Sequence, residues 1–133
     1  MDDIKALKEK VKDLKLLFVD DEKDVRDGSG LFLKKFFDDV TTCVNGEEGY
    51  ETFLKEKDFD VVITDIKMPK MNGVEMAKKM REIDSNIYIV FLTASRSMAQ
   101  IDPNLGNLSL QKPLSFEDMI QVLKDLGAER CQD

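Results

Sequence analysis

Several polar side chains that could bind a cation or a phosphoryl group stand directly after apolar segments of the sequence. An acidic pair follows the first apolar segment, a single Asp follows the third, a Thr ends the fourth and a Lys follows the fifth. The sequence contains no His and only two Cys, so its hard carboxylate oxygens favour Mg²⁺ over zinc. A lysine and a hydroxyl beside such a cation are typical of a phosphoryl-binding site. These residues are Asp20, Asp21, Asp65, Thr93 and Lys112.

Three carboxylates in one cleft would repel one another. At about 4 Å and an effective dielectric constant of about 20, each like-charge contact costs roughly 4 kcal/mol. A divalent cation would neutralise this repulsion, so we expect Mg²⁺ at the site, with Mn²⁺ as a substitute of similar chemistry. Asp65 is the expected nucleophile toward phosphorus, because a central strand would present it between the other groups.

The apolar segments have the pattern of buried parallel strands. They are continuous rather than alternating, which is typical of strands covered by helices on both faces of a sheet. Between them, apolar residues recur at helical spacing over 25–37, 47–56, 74–83 and 115–126. This alternation predicts an α/β fold with one open parallel sheet and helices on both faces. The predicted strands are 15–19, 40–44, 61–64, 87–92 and 108–111.

Polar residues and glycine mark the ends of the predicted helices. Asn45 with Glu48, and Ser115 with Asp118, are spaced as pairs that cap the first turn of a helix. Gly127 stands where a helix C-terminus favours a left-handed residue, so the last helix is predicted to end there.

The first thirteen residues are predicted to form a leader helix. Ile4, Leu7, Val11 and Leu14 are spaced by three or four positions, which places them on one stripe. The stripe is too short for a coiled coil, which needs at least about three heptads. It fits either a helix that packs on its own domain or one that binds a second copy or another protein.

Composition disfavours several classes of protein. The net charge of −7 argues against nucleic acid as the primary partner. Cys43 and Cys131 are too few and too far apart for a disulfide framework or a zinc cluster. The longest apolar run, 87–92, is far shorter than the roughly 20 residues of a membrane span, and the N-terminus lacks the apolar core of a signal peptide. We therefore expect a soluble, cytoplasmic protein.

Taken together, these motifs resemble the signature of bacterial response-regulator receiver domains. The resemblance implies a five-stranded, flavodoxin-like sheet of order 2-1-3-4-5, with the leader helix as an addition. It implies a leader over 1–13, a receiver domain over 14–127 and a tail over 128–133. The matching segments are Asp20-Asp21-Glu22, Asn45-Gly46-Glu47-Glu48, the stretch from Asp65 to Gly73, Leu92-Thr93-Ala94 and Lys112-Pro113.

The resemblance also implies a phosphorylation reaction. Asp65 would accept a phosphoryl group from the phosphohistidine of a sensor histidine kinase or a phosphotransfer protein, which explains why the chain itself needs no His. Asp20 and Asp21 would hold Mg²⁺ together with Asp65 and the backbone carbonyl of Lys67.

The residues across the cleft would act as the switch. By this resemblance, Thr93 and its neighbour Ala94 would bind the phosphoryl oxygens, and Lys112 would pair with them or with the acceptor carboxylate. The resemblance also implies a cis peptide bond between Lys112 and Pro113.

Two features depart from the resemblance. Ser109 occupies the position, three before the lysine, where receivers usually carry an aromatic residue. The stretch between Thr93 and Lys112 is a few residues shorter than usual, and Pro103 and Gly106 interrupt it. We therefore expect the fourth helix of the receiver fold to be short or irregular and the usual aromatic switch to be altered.

Two alternative functions can be weighed from the sequence. An interaction module that works without phosphorylation would retain the same acids, and the two departures favour it. A phosphatase of the haloacid-dehalogenase type would need an Asp-x-Asp motif after the first strand, whereas Asp20 is followed by Asp21 and Glu22. The sequence therefore favours a signalling domain, not an enzyme. Because few residues follow the last predicted helix, its output is expected to be a surface change read by a downstream protein.

Overall fold

The computed structural model describes residues 2–94 and 104–130 as one α/β unit. The helices are α1 (Asp2–Val11), α2 (Lys23–Leu33), α3 (Gly46–Glu56), α4 (Gly73–Ile83) and α5 (Phe116–Arg130). The strands are β1 (Lys15–Val19), β2 (Asp39–Cys43), β3 (Val61–Asp65), β4 (Tyr88–Thr93) and β5 (Leu108–Gln111). All five strands are parallel, in the order β2-β1-β3-β4-β5, which confirms the predicted fold class.

Each face of the sheet carries its own apolar layer, because successive strand residues point to opposite sides. Leu16 and Phe18 of β1 pack in the layer that holds the buried residues of α1 and α5. Leu17 and Val19 pack in the opposite layer, against Met76 and other residues of α3 and α4. Both faces of the sheet are therefore covered by helices and shielded from solvent, which explains the continuous apolar runs in the sequence.

The predicted helix starts agree with the structure. The Asn45 side chain accepts a hydrogen bond from the Glu48 N–H at 2.8 Å, and the Ser115 hydroxyl accepts one from the Asp118 N–H at 3.0 Å. These bonds satisfy N–H groups that have no partner inside the helix.

Two predicted helix ends are wrong. α2 ends at Leu33 instead of 37, and Phe36 and Phe37 are buried from the turn that follows it. Their burial does not require helical geometry, so their apolar character extended the prediction too far. α5 continues through Gly127 to Arg130. Gly127 has no positive φ, and a Cβ there would make only ordinary contacts with α1, 3.7 Å from the Lys10 side chain and 3.9 Å from that of Leu7.

The leader helix α1 packs on its own domain, against α5. Val11 is fully buried, and Leu7 and Leu14 join the same apolar layer. The Lys8 ammonium lies 5.6 Å from the centre of the Phe36 ring, a favourable cation–π distance.

The short or irregular helix expected between β4 and β5, which is distinct from α4, falls in a segment that is described only in part. Residues 95–103 lie outside the described part of the chain, and the described residues 104–107 are turn and bend. The Arg81 guanidinium of α4 holds them by donating to the Leu105 carbonyl at 2.8 Å and to the Asn107 side chain at 2.7 Å.

Among the described residues, no helix has the length and apolar character needed to cross a membrane.

Candidate functional site

The carboxyl ends of β1 and β3 bring the three predicted carboxylates together. β1 and β3 are neighbours, with Val19 paired to Thr64, so the residues that follow these two stand side by side. One oxygen each from Asp20, Asp21 and Asp65 lies within 4.8 Å of the others. Asp20 and Asp65 are buried, whereas Asp21 is exposed.

Lys112 reaches the same cluster from the loop after β5. Its ammonium donates a hydrogen bond to Asp65 Oδ2 at 2.9 Å and lies 3.1 Å from Asp20 Oδ2. Its backbone N–H donates to the Thr93 carbonyl at 2.8 Å, which ties the loop to the end of β4. The peptide bond to Pro113 is cis.

Glu22 is an additional acid at the site. It belongs to the Asp20-Asp21-Glu22 motif, but the sequence predicted no role for it. Its carboxylate lies 3.7 Å from the Lys112 ammonium, and its backbone N–H donates to Asp20 Oδ1 at 2.9 Å. Glu22 makes no side-chain cap for α2, although it occupies the N-cap position. Its place beside two adjacent acids was the only sequence signal for this contact.

Burial and charge shift the pKa values of the central pair. Desolvation raises the pKa of Asp65, and the nearby Asp20 carboxylate adds to this effect, although the hydrogen bond from Lys112 opposes it. Burial alone would lower the pKa of the Lys112 ammonium, but its interactions with Asp65 and Asp20 outweigh burial and raise it. The site therefore favours the protonated form of Lys112 and disfavours ionisation of Asp65.

The donor set fits a hard divalent cation. Asp20 Oδ2 is completely buried and accepts no hydrogen bond from the described residues, so its charge is compensated only by the nearby ammonium. A bound cation would stabilise the negative charge of such a buried carboxylate oxygen. Asp20, Asp21 and Asp65 offer oxygen ligands only, as Mg²⁺ or Mn²⁺ prefers.

A cleft of about 280 Å³ opens over these groups. It is large enough for a phosphoryl group and several waters, since each water takes about 30 Å³ in the liquid. The predicted switch residues lie on its wall: Thr93 is buried at the end of β4, and Ala94 is exposed. Lining residues are Asp21, Glu22, Asp65, Ile66, Lys67, Thr93, Ala94 and Lys112.

The residues after Asp65 hold its carboxylate in place. Asp65 Oδ1 accepts the Ile66 N–H at 2.9 Å, so both carboxylate oxygens have a donor. Gly73 returns the chain to this point, because its N–H donates to the Ile66 carbonyl at 2.8 Å. A Cβ at Gly73 would overlap the Asp65 carbonyl oxygen, so the close approach requires glycine.

Ser109, the position of the expected aromatic residue, lies half-buried on β5. It is paired in register with Phe91 of β4, which is fully buried in the layer under α3 and α4. An aromatic ring is therefore present next to this position, but on the neighbouring strand.

Comparisons with known proteins establish the family. The model of the response regulator receiver domain matches residues 16–124. The chain belongs to this family, whose members are signalling modules of two-component systems.

Two relatives, one of them in two structures, illustrate the likeness. The response regulator receiver protein CpdR of Brucella abortus is 31% identical over 115 residues, covering 84% of this chain and 95% of CpdR. The response regulator TrrA of Thermotoga maritima, crystallised in complex with Mg²⁺-BeF, is 28% identical with a TM-score of 0.75, covering 85% of this chain and 98% of that one. The structure of the histidine kinase ThkA in complex with TrrA matches with 29% identity and a TM-score of 0.73, covering 85% and 97%.

Proposed function

We propose that this receiver domain accepts a phosphoryl group on Asp65 in a Mg²⁺-dependent reaction. The donor is the phosphohistidine of a sensor histidine kinase or a phosphotransfer protein in the cytoplasm. The observation that carries the proposal is the position of Asp65, with two carboxylates within 4.8 Å and the Lys112 ammonium at 2.9 Å.

The residues of the cleft divide the chemistry between them. A carboxylate oxygen of Asp65 attacks phosphorus, the phosphorus–nitrogen bond to the donor imidazole breaks, and its electron pair leaves with the imidazole. Lys112 balances negative charge on the acceptor and on the transferred group, and Thr93 donates to a phosphoryl oxygen. When bound by Asp20, Asp21, Asp65 and the Lys67 carbonyl, Mg²⁺ supplies the charge that lets these anions approach one another.

The same groups account for loss of the phosphoryl group. Water that enters the cleft can attack phosphorus and release phosphate, which regenerates the free Asp65 carboxylate. The domain thus acts on itself and turns over no separate substrate. Its output is a surface change that a downstream protein binds, driven by the new negative charge beside Thr93 and Lys112.

Two structures that contain the relative TrrA support the proposal by what they hold. TrrA was crystallised with Mg²⁺-BeF, and also in a complex with a histidine kinase. In this chain the carboxylate cluster and a cleft of about 280 Å³ offer room for comparable groups.

The test is chemical modification of the purified protein. Acetyl phosphate with Mg²⁺ should add one phosphoryl group, seen by mass spectrometry, to the parent protein and not to Asp65→Asn. Beryllofluoride with Mg²⁺ should shift the amide spectrum of the parent and leave that of Asp65→Asn nearly unchanged. Identical behaviour of the two proteins would refute the acceptor assignment, and absence of any phosphorylation would favour the alternative of a phosphorylation-independent interaction module.

A further inference from the structure

The loop 66–72 connects Asp65 to α4 and carries Lys67, which lines the cleft and whose carbonyl is a Mg²⁺ ligand in the proposed function. Its near end is closed by the hydrogen bond from the Gly73 N–H to the Ile66 carbonyl. The position of the Lys67 carbonyl therefore depends on how the rest of this loop is supported.

The first residue of α3 supports the far side of the loop. The Gly46 N–H donates a hydrogen bond to the Met71 carbonyl at 3.1 Å. The first N–H groups of a helix have no partner within it, so the Met71 carbonyl satisfies one of them. A Cβ at Gly46 would overlap the Met71 carbonyl oxygen and lie 2.7 Å from its carbon. Only glycine allows the two backbones to come this close.

Helix caps fix both sides of this contact. On the α3 side, the Asn45 side chain accepts the Glu48 N–H at 2.8 Å, and the Glu48 carboxylate accepts the N–H of the residue before Asn45 at 2.9 Å. On the α4 side, Asn72 and Glu75 form a capping box. A side chain at Gly46 would therefore displace the loop, because neither capped helix end can yield at low cost.

We infer that Gly46 is a positioning residue for the phosphorylation site, acting through Met71 to hold the Lys67 carbonyl. The inference rests on the proposed function, in which this carbonyl is a Mg²⁺ ligand. Groups that support metal ligands from outside the coordination sphere commonly change metal affinity by about 10- to 100-fold when they are altered.

The test compares two Gly→Ala substitutions in the same helix. Gly46→Ala places a methyl group against the backbone of the loop. Gly49→Ala places it one turn later, 2.8 Å from the Met76 sulfur and 3.0 Å from a Val19 methyl, away from the loop. Mg²⁺ affinity is measured by calorimetric titration of the 133-residue parent and its variants, with circular dichroism to show that each is folded.

We expect Gly46→Ala to bind Mg²⁺ at least about tenfold more weakly than the parent. Gly49→Ala should stay within about twofold of the parent, because its methyl meets side-chain ends, chiefly the adaptable Met76 thioether, and not the backbone of the loop. A metal-free readout is amide hydrogen exchange, which should be faster at position 46 and at Gly73 in Gly46→Ala only, because the bonds that hold the loop are weakened.

Parent-like Mg²⁺ affinity in Gly46→Ala, or an equal loss in Gly49→Ala, would overturn the inference and leave the proposed function intact. A parent protein that binds no Mg²⁺ would overturn the proposed function and this inference together. Should Gly46→Ala not fold, Asn72→Ala decides the matter, because it removes the capping box beside the loop without adding a group. Weaker Mg²⁺ binding by Asn72→Ala supports the role of loop support, and unchanged binding refutes it.

Discussion

Replacing Asp20 with Asn should stabilise the metal-free domain. Asp20 is completely buried, and one of its oxygens lies within 4.8 Å of oxygens from Asp21 and Asp65. An amide keeps the shape of the side chain and an oxygen that can accept the Glu22 N–H, but it removes the negative charge.

Electrostatic interactions set the size of the effect. At the upper limit of 4.8 Å and an effective dielectric constant of about 20, the repulsion between Asp20 and Asp65 is at least roughly 3.5 kcal/mol. The attraction to Lys112 at 3.1 Å is roughly 5 kcal/mol on the same basis, and repulsion from the exposed Asp21 adds about 1 kcal/mol. These contributions nearly cancel, so the desolvation cost of the buried carboxylate decides the sign. We expect Asp20→Asn to gain about 1 to 3 kcal/mol.

The assay is thermal unfolding with and without Mg²⁺. Without metal, the melting temperature of Asp20→Asn should exceed that of the parent by roughly 3 to 10 °C. With Mg²⁺ at about 100 times its Kd, the parent should gain about 2.7 kcal/mol, whereas the variant, which lacks one ligand, should gain much less. Mg²⁺ should therefore narrow or reverse the difference between the two proteins.

Asp21→Asn is the matched control, because it removes a carboxylate of the same cluster that is exposed. Its stability without metal should change by less than about 1 kcal/mol, but it should also lose most of the gain from Mg²⁺. A metal-free Asp20→Asn that melts below the parent would refute the reasoning that repulsion and burial outweigh the ion pair with Lys112.

Three further outcomes follow from the same structure. Because burial raises the pKa of Asp65 above 3.8, its stabilising contribution is fully present below pH 3.8 and is lost as the pH rises through its folded pKa. The melting temperature of metal-free Asp65→Asn, relative to that of the parent, should therefore increase as the pH rises from 3.8 through the folded pKa of Asp65. A difference that does not change with pH would contradict this. Lys112→Met should lose roughly 2 to 3 kcal/mol in denaturant titrations without metal, since two buried carboxylates lose their cation; an unchanged midpoint would contradict it. Gly28→Ala should gain up to about 1 kcal/mol, because no described atom beyond its chain neighbours and its own helix backbone lies within 4 Å of the added methyl, and a lower melting temperature would show an unexpected role for this glycine.

Much of the fold could be predicted from short-range pattern. The strands were located to within about one residue because apolar runs end abruptly at polar residues where a buried strand meets solvent. The same ends marked Asp20, Asp65 and Lys112 as one group, since parallel strands share a carboxyl edge. The strand order came from resemblance to a family, because periodicity alone carries no information about which strands are neighbours.

Other features could not be predicted from local sequence. The end of α2, the passage of α5 through Gly127 and the packing of α1 all depend on partners distant along the chain. Gly127 is a residue type that favours a helix end, but it lies inside α5, on the side where α1 packs against that helix.

The sequence by itself determined which chemical groups stand at the edge of the sheet, because residue type and strand periodicity are local properties. Only the tertiary structure decided how those groups are paired. It placed Lys112 between Asp20 and Asp65, left Asp20 Oδ2 buried beside the ammonium, and set Gly46 against Met71. These contacts join residues far apart in the chain. Their distances, and therefore their Coulomb energies and steric limits, exist only once the sheet and its loops have formed.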